Sequence, residues 1–276
     1  MFDPVAYINE PRWRSMSLGL ERIEELLAKL GNPQDNLRFV HVAGTNGKGS
    51  TCSFISSILK ESGYKVGLFT SPYIERFEER IRINGENISL QRLSEVTLRV
   101  KDAAEVMASH PTEFELMTAV AFTYFAEEKC DIVVAEVGLG GRLDSTNVIR
   151  TVEVCVFAPI SYDHCALLGS TLYQIAGEKA GILKSGKRIV VQRLFATSML
   201  RLLRATPLIS RMVSSIICLL SCKDRSSASM QRLLWKRARC LPSVAGASAS
   251  KRCEEACLAL HGRVVLSFCV ITPTFL

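Results

Sequence analysis

The sequence predicts an α/β protein: a doubly wound, mostly parallel sheet with a phosphate-binding type of loop over residues 1–192, followed by an irregular or disordered tail over residues 193–276. Three observations carry this expectation. Apolar, β-branched runs suited to strands buried on both faces alternate with segments of helical periodicity. The first of these runs ends in a glycine-rich loop that opens straight into a helix. Beyond residue 192 both patterns stop and the composition changes.

In chain order, SLGLERIEELLAKL (17–30) places Leu20, Ile23, Leu26, Leu27 and Leu30 on one helical face, with Ser17 as N-cap and Gly31 as C-cap. RFVHV (38–42) is a short strand leading into the loop, and Phe54, Ile55, Ile58 and Leu59 then recur at helical spacing up to Gly63. KVGLF (65–69) reads as the next strand. SLQRLSEVTLRVKDAAEVM (89–107) and EFELMTAVAFTYFAEEK (113–129) have helical periodicity, whereas DIVVAEV (131–137), EVCVFA (153–158) and KRIVVQ (187–192) read as strands. No internal repeat is found.

Of the 276 residues 48% are hydrophobic and 22% charged, the composition of a globular protein. The net charge of +7 is uneven. Residues 1–192 carry 21 Lys+Arg against 24 Asp+Glu, a balance of −3, and the remaining 84 carry 13 against 3, a balance of +10. The basic excess therefore belongs to the tail, and nucleic acid is not an expected partner. No leader pattern of basic head and apolar run opens the chain, and the most apolar tail run, MVSSIICLLSC (212–222), is too short to span a bilayer. A cytoplasmic protein without membrane contact is expected. Four of the ten cysteines lie scattered in the body and are read as reduced. Cys218 with Cys222, and Cys253 with Cys257 and His261, are too loosely spaced to be read as a zinc site.

The loop, HVAGTNGKGST (41–51), departs from G-x-x-x-x-G-K-[ST] because Gly49 follows Lys48. It still has what a phosphate site needs: a strand before it, glycines for close backbone approach, and a helix N-terminus after it. Gly44, Thr45, Asn46, Gly47, Lys48, Gly49, Ser50 and Thr51 are the candidate ATP-binding residues, with Lys48 reaching the outer phosphates and Ser50 or Thr51 offering a hydroxyl to Mg²⁺. An ordinary tight glycine connection is the plainer alternative. Glu136 ends a buried strand where open α/β sheets place their ligands, and a carboxylate there requires a partner or a metal ion.

HVAGTNGKGST resembles the P-loop of the Mur-ligase superfamily, whose spacing carries the extra residue after Lys. GLFTSPYIERFEERIRING (67–85) is similar to the segment of its folate-type members, the folylpolyglutamate synthases and dihydrofolate synthases. FELMTAVAF (114–122), EVGLGGRLDSTN (136–147), DHCALLG (163–169) and IAGEKAGILK (175–184) continue the match in unbroken order over about residues 15–192. The resemblance implies a Mur-ligase-like ATPase domain. It implies an ATP-dependent ligase that adds L-glutamate to dihydropteroate or a reduced folate through an acyl phosphate, with ATP and Mg²⁺ as cofactors, and working as a monomer. Lys48, His164 and Lys179 become catalytic residues, Lys179 as the lysine that is carbamylated in relatives. Ser50, Ser71, Glu136 and His164 become metal-site residues, and Ser71, Pro72 and Phe114 contact the pterin-bearing substrate. Asp144 and Asn147 are read only as turn-forming residues beside Gly138, Gly140 and Gly141.

The resemblance stops at Gln192, where such ligases continue and add a closing C-terminal α/β domain. The tail has the composition of a frame-shifted reading, and whether this chain is active stays open. Two alternatives stand beside the folate reading. A Mur ligase of peptidoglycan synthesis shares the loop but carries a separate domain ahead of it, for which about 40 residues are too few. The other is a defective, non-enzymatic fragment that binds nucleotide at most.

Overall fold

A computed structural model describes residues 2–10, 19–184, 187–192 and 268–271. Ser17, the loosely spaced cysteines of the tail and nearly all of residues 193–276 lie outside the described residues.

The strands are β1 (Phe39–Ala43), β2 (Val66–Phe69), β3 (Ile81–Ile83), β4 (Glu86–Asn87), β5 (Ile132–Glu136), β6 (Val152–Phe157), β7 (Arg188–Gln192) and β8 (Phe268–Ile271). They form one sheet in the order β4-β3-β2-β5-β1-β6-β7-β8. The five central strands are parallel, while β3 and β4 at one side and β8 at the other are antiparallel. The helices are α1 (Pro4–Ile8), α2 (Glu21–Lys29), α3 (Lys48–Glu61), α4 (Leu90–Glu105), α5 (Glu113–Glu127), α6 (Cys165–Leu168) and α7 (Leu172–Ala180).

Strand alternation divides the core into two layers. Val40, Val42, Val66, Leu68 and Val134 face Cys52, Ile55 and Leu59 of α3. Phe39, Ala43, Phe69, Val133 and Ala135 face the opposite layer, built from α1, α2, α4 and α5. Strands covered on both faces are apolar at most positions, and β1, β2 and β5 are buried at every position, with His41 and Glu136 the polar exceptions. α5 is likewise apolar nearly all round and is buried at ten positions, among them Leu116, Val120 and Phe122.

The predicted strands agree with those observed to within a residue or so. The first predicted helix is shorter, running from Glu21, with Leu20 rather than Ser17 at its N-cap. The C-cap is Leu30 rather than Gly31; Gly31, at φ +80, turns the chain one residue further on. The hairpin β3–β4 was not foreseen. Asn84 (φ +51) and Gly85 (φ +89) supply its two-residue turn, a conformation that Asn-Gly pairs favour. In the tail, Phe268–Ile271 forms an antiparallel strand against β7, so β7 is not an open sheet edge.

One buried polar residue lies within β1. His41 is fully buried and its Nε2 lies 2.8 Å from Thr146 Oγ1, while Nδ1 has no hydrogen-bond partner among the described residues. Burial, with the charge of Lys184 second, lowers its pKa from 6.5 to about 3. Its lowered pKa means that between about 3 and 6.5 the unfolded chain takes up a proton that the folded chain refuses. Stability from this group is therefore fully present above 6.5 and falls as pH falls through that window, by on the order of a few kcal/mol. Urea midpoints measured from pH 7 to 4 should drop for the parent chain and drop less steeply for His41→Gln; equal slopes would remove His41 from the account.

Candidate functional site

β1 ends at Ala43 and the chain enters the glycine loop. Gly44 is required by close approach: a Cβ there would lie 2.7 Å from the Cβ of Ala158, just past the end of β6. The amides of Thr45 and Asn46 donate to Pro159 O at 2.8 and 3.4 Å, which ties the loop to the segment after β6. Gly47, left-handed at φ +75, is the N-cap of α3 and offers no side-chain cap. The first amides of a helix have no partner within it, so Lys48, Gly49 and Ser50 present N–H groups that an anion can take. Lys48 Nζ reaches back to Thr45 O at 3.2 Å.

The structure distinguishes the two candidate hydroxyls. Thr51 is buried and its Oγ1 donates to Gly47 O at 2.7 Å, so it secures the loop. Ser50 is exposed at the helix N-terminus and is the hydroxyl placed to meet a ligand.

Glu136 closes β5 beside this loop. It is 4% exposed, a carboxylate buried at the end of its strand. A Cβ on Gly49 would sit 3.4 Å from its Oε2, and the same oxygen accepts from the Ser71 amide at 3.1 Å. Burial raises its pKa; the Ser71 amide and the Lys48 charge oppose that shift. Ser71, joined by a cis peptide to Pro72, is thereby brought to the same carboxylate.

Lys179, which alone would read as a solvated helix residue, is instead 4% exposed. Its Nζ donates to Gly44 O at 2.8 Å. Burial, and then the Lys48 charge, lower its pKa from 10.5 to about 8. Two glycines let α7 approach closely enough for this contact. A Cβ on Gly141 would stand 2.8 Å from the carbonyls of Glu178 and Lys179, and one on Gly181 would stand 2.4 Å from Arg142 Cα.

The loop after β5 is more than a turn. Asp144 is buried and accepts from Leu139 N at 2.8 Å, from Thr146 N at 3.0 Å and from the Thr146 hydroxyl. Asn147 Nδ2 donates to Arg142 O and Gly181 O, and its Oδ1 accepts from Lys184 Nζ at 2.8 Å. The sequence reading missed this depth of burial; both residues act as internal braces. The Phe114 ring packs against Gly138, where a Cβ would meet it at 2.5 Å, and lies 6.0 Å from the Phe69 ring.

His164 sits after β6 at φ +47, half exposed, with Nε2 3.6 Å from Asp163 Oδ1. No hydrogen bond ties it to Glu136. Among the described residues no three His, Cys, Asp or Glu side chains form a metal cluster, so a cation here would depend on Glu136 with hydroxyl and phosphate oxygens. The residues brought together at the C-terminal ends of β1, β2 and β5 are thus the glycine loop, Lys48, Lys179, Glu136 and Ser71. Their arrangement combines anion-binding amides, two ammonium groups and one buried carboxylate, the parts needed to hold a polyphosphate. Among the described residues no helix is long and apolar enough to cross a membrane.

The chain resembles known proteins over this same region. The Mur ligase middle domain family matches residues 42–193. A Bacillus subtilis dihydrofolate synthase/folylpolyglutamate synthase is 52% identical over 177 residues, which is 62% of this chain and 41% of that protein. The Saccharomyces cerevisiae dihydrofolate synthetase is 46% identical over 174 residues, covering 62% and 41% respectively. Among solved structures, an FPGS–AMPPCP–folate complex superposes with a TM-score of 0.68 at 41% identity, over 74% of this chain and 51% of that one. The chain spans about half, or less, of the length of the relatives it matches.

Proposed function

The chain belongs to the Mur ligase middle domain family, and from that membership we propose that it forms the nucleotide half of an ATP-dependent ligase joining L-glutamate to dihydropteroate or a reduced folate. The observation that carries this reading is the convergence of the uncapped α3 N-terminus, Lys48, Lys179 and the buried Glu136 on one crevice. The relatives at 46–52% identity are named for dihydrofolate and folylpolyglutamate synthesis, and a solved neighbour holds an ATP analogue and folate, which favours folate over cell-wall chemistry.

Amide formation from a carboxylate needs a leaving group better than oxide, which phosphoryl transfer from ATP supplies by making an acyl phosphate for the glutamate amine to attack. Charge builds on the transferring oxygens, so catalysis is chiefly positioning and electrostatic stabilisation. In this reading the amides of Lys48, Gly49 and Ser50 cradle the phosphates, with Gly44, Thr45, Asn46, Gly47 and Thr51 shaping the loop. Lys48 turns from the Thr45 carbonyl to the outer phosphate oxygens.

Mg²⁺ fits the residues present. Glu136 is a buried carboxylate whose one hydrogen bond among the described residues is to the Ser71 amide, and it lies against Gly49 with the Ser50 hydroxyl nearby in sequence, a hard-oxygen setting. Ser50, Ser71 and Glu136 would hold the ion, which when bound neutralises phosphate charge; His164, beside Asp163, would serve a second ion. Lys179, with a pKa of about 8, keeps a fraction of free amine near neutral pH, as reaction with carbon dioxide to a carbamate requires. Phe114, Ser71 and Pro72 border the place for the pterin-bearing substrate, and the Phe114 ring offers a flat face to it.

Purified chain should bind ATP in the presence of Mg²⁺ and release phosphate only when both a pteroyl acceptor and L-glutamate are supplied. Binding without release would confine the chain to the nucleotide half-reaction. Absence of both would overturn the proposal.

A further inference from the structure

We propose that Glu79 and Arg80 are a positioning pair that fixes residues 71–77, the stretch between β2 and β3, in the shape that receives the pteroyl substrate. The substrate named here rests on the folate-type reading above. Pro72 through Arg76 are exposed, and Ile74, an apolar residue, is 90% exposed. Such a stretch has little packing of its own to hold it. Yet its start is tied to the crevice through the Ser71 amide on Glu136.

Glu79 supplies the missing hold on the backbone. Its Oε2 accepts from Ile74 N at 2.9 Å, and its Oε1 accepts from Glu75 N at 3.2 Å and Arg76 N at 3.0 Å. One carboxylate thus gathers three successive amides that no regular element would satisfy. Arg80 supplies the hold on the side chains. Its guanidinium carbon lies 5.0 Å from the centre of the Tyr73 ring and 5.4 Å from that of Phe77. Nη1 lies 2.9 Å from Met117 Sδ and Nη2 lies 4.0 Å from Glu113 Oε1, both on α5, whose first turn also carries Phe114. The Arg80 carbonyl accepts from Thr70 N at 3.0 Å, which anchors the residue to the end of β2.

A scaffold role alone would be better served by an apolar residue, because Arg80 Nε is buried with no hydrogen-bond partner among the described residues. What a leucine there could not do is stack a planar cation on Tyr73 while engaging α5. The pair therefore holds the Tyr73 ring in a fixed relation to α5, the helix whose first turn carries Phe114.

The test uses the full chain, with Glu79→Gln, Arg80→Gln and Arg80→Lys. Affinities for folate and for AMPPCP with Mg²⁺ are measured by calorimetry, and amide hydrogen exchange is followed along the chain. Gln at 79 keeps one acceptor oxygen and turns a carboxamide NH2, itself a donor, toward backbone N–H donors; Lys at 80 keeps the charge without the plane. The expected result is at least a tenfold loss of folate affinity in both glutamine variants, with AMPPCP affinity within threefold of the parent. Exchange at residues 74–76 should quicken at least tenfold and stay unchanged elsewhere, and Arg80→Lys should fall between. Folate affinity within threefold of the parent in both glutamine variants would overturn the proposal, as would folate and nucleotide affinity falling together with exchange rising throughout. If the parent binds AMPPCP but not folate, the substrate reading is what fails. Exchange then decides the positioning claim: quickening confined to 74–76 upholds it, and no change overturns it. Glu79→Asp carries the same measurement if Glu79→Gln folds poorly.

Discussion

Lys48→Ala is expected to weaken nucleotide binding sharply while leaving the fold intact. Nζ contacts the Thr45 carbonyl inside the loop, an interaction an alanine variant loses at small cost because the loop stays tied by Thr45 and Asn46 to Pro159. A hydrogen bond to a charged partner contributes about 1.5–3 kcal/mol, so ATP affinity should fall by about 10- to 150-fold. Removing Lys48 also takes away the charge that, after burial, lowers the Lys179 pKa, so that amine becomes easier to protonate. Titration of ATP with Mg²⁺ into parent and variant, alongside urea midpoints, checks both halves. Unchanged affinity would mean that the loop does not hold the phosphates.

Phe122→Ala should have the largest effect on stability. Phe122 is fully buried on α5, with ring centroids 5.1 Å from Phe39 of β1 and 6.3 Å from Phe69 of β2. Truncating a buried Phe costs about 3–5 kcal/mol because the cavity closes only partly. Against a total stability of about 5–15 kcal/mol, that is a large fraction. Urea unfolding should show a much lower midpoint at unchanged slope, with Phe122→Leu in between. A loss under about 1 kcal/mol would show that the helix relaxes into the gap. The same variant disturbs Phe69, whose other ring neighbour is Phe114, so stability and the aromatic wall of the crevice share one cluster.

Much of the sheet was legible because strands covered on both faces are apolar at most positions, and RFVHV, KVGLF and DIVVAEV show that without help from context, His41 and Glu136 being the buried exceptions. The loop was legible for a different reason: Gly44 and Gly47 occupy positions where a Cβ is excluded or the backbone is left-handed, and those demands are local. Glu136 could be singled out because a carboxylate at the end of a buried strand is costly unless it is used. The β3–β4 hairpin escaped notice since its strands are three and two residues long, too short for a period, although Asn84-Gly85 signals its turn. The roles of Lys179, Asp144 and Asn147 could not be read in the same way. Nothing within GEKAG or RLDSTN says that these side chains lie inside; that follows from how closely α7 meets the loop after β5. Nor could the sequence tell which of Ser50 and Thr51 turns inward, a matter of a single helical step.

The contact between α7 and that loop has a bearing on which changes this region can absorb. Gly177 and Gly181 stand one helical turn apart, yet a Cβ on Gly177 would meet nothing within 4 Å, whereas one on Gly181 would collide with Arg142. Alanine at 177 should even strengthen the helix, by about 1 kcal/mol. Alanine at 181 would instead wedge the two segments apart and swing the Lys179 amine away from Gly44. Drift in sequence is therefore open at one glycine and closed at its neighbour, and a residue that never meets nucleotide becomes a lever on the chemistry beneath it.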